Sequence, residues 1–128
     1  MDLGLTPEQR MIRETVRNFS EGVVSLYAEA MDRTQDFPWE LVRQMASVGL
    51  MGMTIPEEHG GAGSDTVSYA LAIEELSRVS AVAGVIVAVH NSVSAYPIVR
   101  FGTEEQRDDI LPAMARGEVL GAFALTEP

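Results

Sequence analysis

With 128 residues, 46% of them hydrophobic and 22% charged, the chain can bury a real core and is not a disordered polymer; it is too short for two comfortable domains. A formal charge of -10, carried against nine arginines and no lysine, argues against nucleic acid as a partner and disfavours an anionic membrane surface. No cysteine is present, which removes disulfides, thiolate metal sites and thiol nucleophiles.

The start, Met1-Asp2-Leu3-Gly4-Leu5, lacks a basic segment followed by an apolar run, so no secretory signal is expected and a cytoplasmic location is the default. Thr6-Pro7-Glu8-Gln9 predicts a helix start: Thr6 as N-cap, proline in the first turn, Gln9 reaching back to complete a capping box. Ile12, Val16, Phe19, Val23 and Tyr27 then recur three and four apart, which predicts an amphipathic helix ending near Arg33. Pro38 opens a second helix with Leu41, Met45 and Val48 on one face and Gly49 as its stop. The helical period is lost over 50–63, where Pro56, Gly60, Gly61 and Gly63 mark a loop. Ser64 or Asp65 caps a third helix through Val67, Ala70, Leu71, Ile73 and Leu76, and Ser80 marks the bend after it.

Residues 79–99 carry no formal charge. A helix of that length runs about 30 Å, the width of a small domain or of a bilayer core. His90, Asn91, Ser92 and Ser94 in its second half, with Pro97 beyond, are costly in hydrocarbon, so no membrane span is expected. The prediction is a central helix buried on nearly all sides, in which Val85→Asp or Val89→Asp unfolds the protein. Thr103-Glu104-Glu105-Gln106 repeats the capping-box pattern and opens a helix with Ile110, Leu111 and Met114 facing inward. Pro112 predicts a kink or restart, and Gly117 a stop. Residues 119–125 are apolar and read as a short strand. A lone strand has no ladder partner in a helical domain, so its backbone groups must find partners elsewhere, and a chain that stops just after it is expected to be part of a longer protein.

The fold class expected is therefore all-α: an orthogonal bundle of about five to six helices, ending in one short strand that would begin a β-domain.

Candidate chemistry is sparse. Glu57-Glu58-His59 is not the helical two-histidine pattern a metal wants and reads as solvated loop charge. Glu74-Glu75 reads as a solvent edge plus one inward salt bridge. Gly60-Gly61-Ala62-Gly63-Ser64 before a helix has the look of a phosphate cradle, but without a preceding strand it reads as a turn with several positive backbone dihedrals. His90-Asn91-Ser92 lacks the partners of a catalytic triad and reads as buried polar groups that meet backbone or a neighbouring subunit. No complete catalytic or metal-binding set emerges.

Five stretches taken together resemble one family. Ile55-Pro56-Glu57-Glu58-His59-Gly60-Gly61-Ala62-Gly63, then Tyr69 with Glu74-Glu75-Leu76-Ser77-Arg78, then His90-Asn91-Ser92, then Pro97-Ile98 with Arg100-Phe101-Gly102-Thr103-Glu104-Glu105-Gln106, and finally Phe123-Ala124-Leu125-Thr126-Glu127-Pro128 look like the N-terminal part of an acyl-CoA dehydrogenase, in order along the whole chain.

The resemblance implies an N-terminal helical domain over 1–118, with 119–128 as the start of a middle β-domain. It also implies a C-terminal helical bundle that makes a homotetramer, and flavin adenine dinucleotide (FAD) bound between these parts. It further implies removal of an α proton from an acyl-CoA by a glutamate and of a β hydride by FAD, with electrons passed to an electron-transfer flavoprotein in fatty-acid β-oxidation. Carried over by position, Phe123, Leu125 and Thr126 fall where the family contacts the flavin ring, and Val89 and Val93 where it lines the acyl-chain cavity. The middle domain and the catalytic glutamate are missing from these residues, so the chain alone should be inactive. Two alternatives stand beside this: a free-standing helical interaction module, and a relative acting on carrier-bound acyl groups or another substrate.

Overall fold

In the computed structural model, which describes residues 4–127, Thr6 opens the first helix with both halves of its capping box formed: the Gln9 amide donates to Thr6 Oγ1 at 3.1 Å and the Thr6 amide to Gln9 Oε1 at 3.0 Å. Met1-Asp2-Leu3 of the start and Pro128 of the terminal motif lie outside the described residues. The helices are α1 (Pro7–Phe19), α2 (Ser25–Thr34), α3 (Trp39–Ser47), α4 (Thr66–Val79), α5 (Ala81–Val89), α6 (Tyr96–Phe101) and α7 (Glu104–Ala115). A π-helical turn, Ser20–Val24, joins α1 to α2, and another, His90–Ala95, joins α5 to α6. Counting each joined pair as one rod gives five helices, within the range expected, and no strand occurs among the described residues.

The chain divides into two compact units, one of residues 4–38 and 65–85, the other of 39–64 and 86–127. In the first, α1 and the π-turn after it pack along α4, and Val16, Ser20 and Val24 are buried, as are Ser68, Ala72, Glu75 and Leu76 of α4 and Met31 of α2. Of the positions predicted to face inward, Val16 is buried, while Ile12, Phe19, Val23 and Tyr27 are only half-buried. A π-turn inserts one residue into the ladder and advances the inward face by one position, so Val24 takes the place that an unbroken period assigns to Val23. Gln35, left-handed at φ 58°, ends α2, and its amide donates to Met31 O at 3.1 Å. Asp65 rather than Ser64 caps α4, accepting from the Val67 and Ser68 amides. Val67, in the first turn of α4, is exposed.

In the second unit, Leu41, Val42 and Met45 of α3 are fully buried, as are Leu50, Met51 and Ile55 of the following loop and Leu111 of α7. Each such side chain contributes about 2 kcal/mol of transfer free energy. Val48 and Ile110, expected to join them, are exposed. Helix α7 runs through Pro112 without a restart and ends at Ala115, so the proline, which costs one ladder bond, falls in its last turn. Gly117, at φ 67°, stops it: the Gly117 amide donates to Met114 O and the Glu118 amide to Ala113 O, both at 3.0 Å.

Two expectations need correction. By length and composition Ala81–Phe101 could cross a membrane, yet only 33% of its most apolar stretch is buried, not nearly all of it. Ala83, Val87, His90, Asn91, Ser94 and Ala95 form the buried stripe, while Val85 is 59% exposed, so an aspartate there meets water and not a core. The run predicted as a strand carries no ladder: 120–127 are irregular, because no neighbouring strand among the described residues offers a partner.

Candidate functional site

The π-turn His90–Ala95 is where the second unit gathers its polar side chains. Asn91, with no exposure, donates from Nδ2 to Leu50 O at 2.9 Å and to Val87 O at 3.0 Å. Its Oδ1 accepts the Thr54 amide at 3.1 Å, and its own carbonyl accepts the Thr54 hydroxyl at 3.0 Å. Every polar atom of that amide is used, and the loop at 50–54 is fastened to the helix. His90, equally buried, sets Nε2 3.1 Å from Met114 O and receives the Gly121 amide on Nδ1 at 3.0 Å. Burial pushes its pKa below the ordinary range, which neighbouring backbone carbonyls only partly oppose. Ser92 donates back to Ala88 O at 2.6 Å. The reading of His90-Asn91-Ser92 as buried polar groups meeting backbone holds for the first two; Ser92 also meets backbone but is exposed.

Beside this framework lie the residues carried over by position. Val89 is half-buried and Val93 exposed, one turn apart on the side of the helix away from the buried stripe. Past Gly121 the chain runs out along the surface, with Phe123 56% and Leu125 75% exposed and Thr126 exposed as well. The two sets are linked through Gly121, which packs on Ser94 next to Val93. An exposed aromatic, an aliphatic and a hydroxyl on backbone outside any ladder are what an isoalloxazine ring asks of a protein: an apolar wall and a few free hydrogen-bonding groups. The residues present fit that group. Sequence reasoning missed Thr54 and Gly121; nothing local marks Thr54, whereas a glycine inside an apolar run is a signal of close backbone approach.

The other candidates resolve into structure. In the glycine-rich loop Gly60 and Gly63 have φ 82° and 54°, as a plain turn requires. Five successive amides are spent inward: Gly60 on Glu57 O, Gly61 on Pro56 O, Ala62 on Gly52 O, Gly63 on Ile55 O and Ser64 on Met53 O. None is left to cradle a phosphate. A Cβ on Gly61 would lie 2.0 Å from Ile55 O, so close backbone approach accounts for that glycine. Glu57 and Glu58 are exposed, and His59 lies 3.5 Å from Asp108. No cluster of three or more His, Asp or Glu able to hold a metal occurs among the described residues.

In the first unit Glu75 is the inward salt bridge expected. At 2% exposure it receives Arg17 at 2.6 and 3.1 Å and Arg78 at 3.2 Å, and Arg78 also reaches Glu21. The Arg17 hydrogen bond, helped by Arg78, holds the Glu75 carboxyl below its usual range against the opposing effect of burial.

The family described as "Acyl-CoA dehydrogenase, N-terminal domain" matches residues 6–118. An acyl-CoA dehydrogenase of Bacillus subtilis is 52% identical over 97% of this chain and 33% of its own. A short-chain-specific acyl-CoA dehydrogenase of Clostridium acetobutylicum is 46% identical over 100% of this chain and 34% of its own. The crystal structure of an acyl-CoA dehydrogenase complexed with FAD from Bacillus anthracis superposes with a TM-score of 0.89 at 38% identity, over 97% of this chain and 21% of that one. The chain thus spans about a third of the length of the curated relatives it matches.

Proposed function

The chain belongs to the acyl-CoA dehydrogenase family, and from that membership we propose that it is the N-terminal helical part of a flavin-dependent enzyme that converts an acyl-CoA thioester to a trans-2-enoyl-CoA. On this reading 1–118 form the helical domain, and 119–128 open a middle β-domain whose strands supply the ladder partner that 120–127 lack. FAD, when bound, supplies the hydride acceptor. Phe123 and Leu125 turn an apolar wall toward it and exclude water, while the Thr126 hydroxyl and the nearby backbone groups hydrogen-bond to it. Val89 and Val93 line the acyl chain with branched apolar surface. Removal of the α proton falls to a carboxylate outside these residues, so the chain alone turns over nothing. An electron-transfer flavoprotein as electron acceptor, a homotetrameric assembly and a cytoplasmic location complete the proposal. A short acyl chain is the substrate class favoured, supported by the name of the Clostridium relative.

The observation that carries this reading is the family match over residues 6–118, followed by the exposed, unladdered run that holds Phe123, Leu125 and Thr126. The test is to purify the complete gene product and add butyryl-CoA without oxygen. A yellow protein bleached by the thioester is expected. A colourless product, or a yellow one indifferent to every acyl-CoA, would refute the proposal.

A further inference from the structure

Gly121 meets the helix under tight constraint. Its amide donates to His90 Nδ1 at 3.0 Å, and a Cβ on it would lie 2.4 Å from Ser94 Cβ and 2.7 Å from Met114 Cε. On the far side of the same ring Nε2 faces Met114 O at 3.1 Å. A nitrogen that receives an N–H carries its lone pair, and one that faces a carbonyl carries the proton, so the buried ring is neutral and held as the Nε2–H tautomer. One imidazole therefore bridges α7, through Met114, to the first residue of the surface run.

We infer that His90 is a positioning residue: by gripping the Gly121 amide, with the absent Cβ setting the distance, it fixes the origin of the run that carries Phe123, Leu125 and Thr126. Two extended residues reach only about 7 Å, so Phe123 is confined while Gly121 is held and wanders when it is released. The relevance to a flavin rests on the function proposed above; the grip itself does not.

The experiment uses the 128-residue chain and reads the His90 ring nitrogens by NMR and the Gly121 amide by hydrogen exchange. His90→Asn places an oxygen where Nδ1 lies and keeps an acceptor for Gly121, whereas His90→Gln places an amide nitrogen where Nε2 lies and keeps only the bond to Met114. The Nε2–H tautomer is expected in the parent chain, with Gly121 exchange slow there and in His90→Asn and about tenfold faster in His90→Gln. Gly121→Ala should displace the signals of 122–127 while leaving the α3 amides in place, a readout independent of whether the histidine variants fold. An Nδ1–H tautomer, equal Gly121 exchange in the Asn and Gln variants, or unmoved signals in Gly121→Ala would each overturn the inference. In the longer flavin-bound protein, His90→Gln should change the visible circular dichroism of the flavin and His90→Asn restore it. A colourless longer protein that still protects Gly121 would sink the flavin reading and leave the grip standing.

Discussion

The two units bury polar groups in opposite ways. The first closes around charge: Glu75, almost wholly inside, is held by two arginines that each keep about half their side chain in water. The second closes around neutral groups, with His90 and Asn91 fully buried and spent on backbone amides and carbonyls. A half-solvated ion network is screened by salt and tolerates loss of a member, because water can take over. A neutral polar group deep in a core tolerates neither, since its orphaned partners have no water to turn to. The unit beside the proposed flavin and acyl site is thus the one built for fixed geometry.

The largest expected effect follows from Asn91. Asn91→Ala strands Leu50 O and the Thr54 amide and should cost about 3 kcal/mol, seen as accelerated hydrogen exchange across α3 and α7. If α1 and α4 exchange faster and α3 does not, the contrast between the units is mistaken. Glu75→Gln should cost about 1 kcal/mol, read in α1 and α4 and shrinking as salt rises. A cost unmoved by salt would mean that packing rather than charge holds that unit.

Acid should then separate the units in sequence. The folded pKa of His90 lies below its ordinary 6.5, so its unit is at full strength above that value and weakens as pH falls below it, the unfolded chain taking the proton first. Glu75 is held below its ordinary 4.5, so the ion network is complete above that value and fades as pH drops through the lower folded one. Exchange measured at about pH 5.5 should show the second unit loosened and the first intact. The smallest effect belongs to Val85→Asp, which should stay within about 0.5 kcal/mol because the side chain is already in water; thermal melting that collapses would restore the fully buried helix.

Local chemistry was legible in the residues themselves. The capping boxes at Thr6 and Thr103, the stops at Gly49 and Gly117, and the bend at Ser80 are set by bonds spanning three to five positions, so neighbours in sequence suffice to specify them. The all-helical class and the family likeness were equally open to reading. What only the tertiary structure decided is which side of each helix turns inward: the π-turns shift the period by a residue, Val85 faces out while Asn91 faces in, and Gly121 finds His90 thirty-one positions away. Such choices depend on which element packs against which, and a strand is the limiting case. The apolar run at 119–125 has the composition of one, but a ladder exists only when a second backbone lies alongside, and none of the described residues provides it.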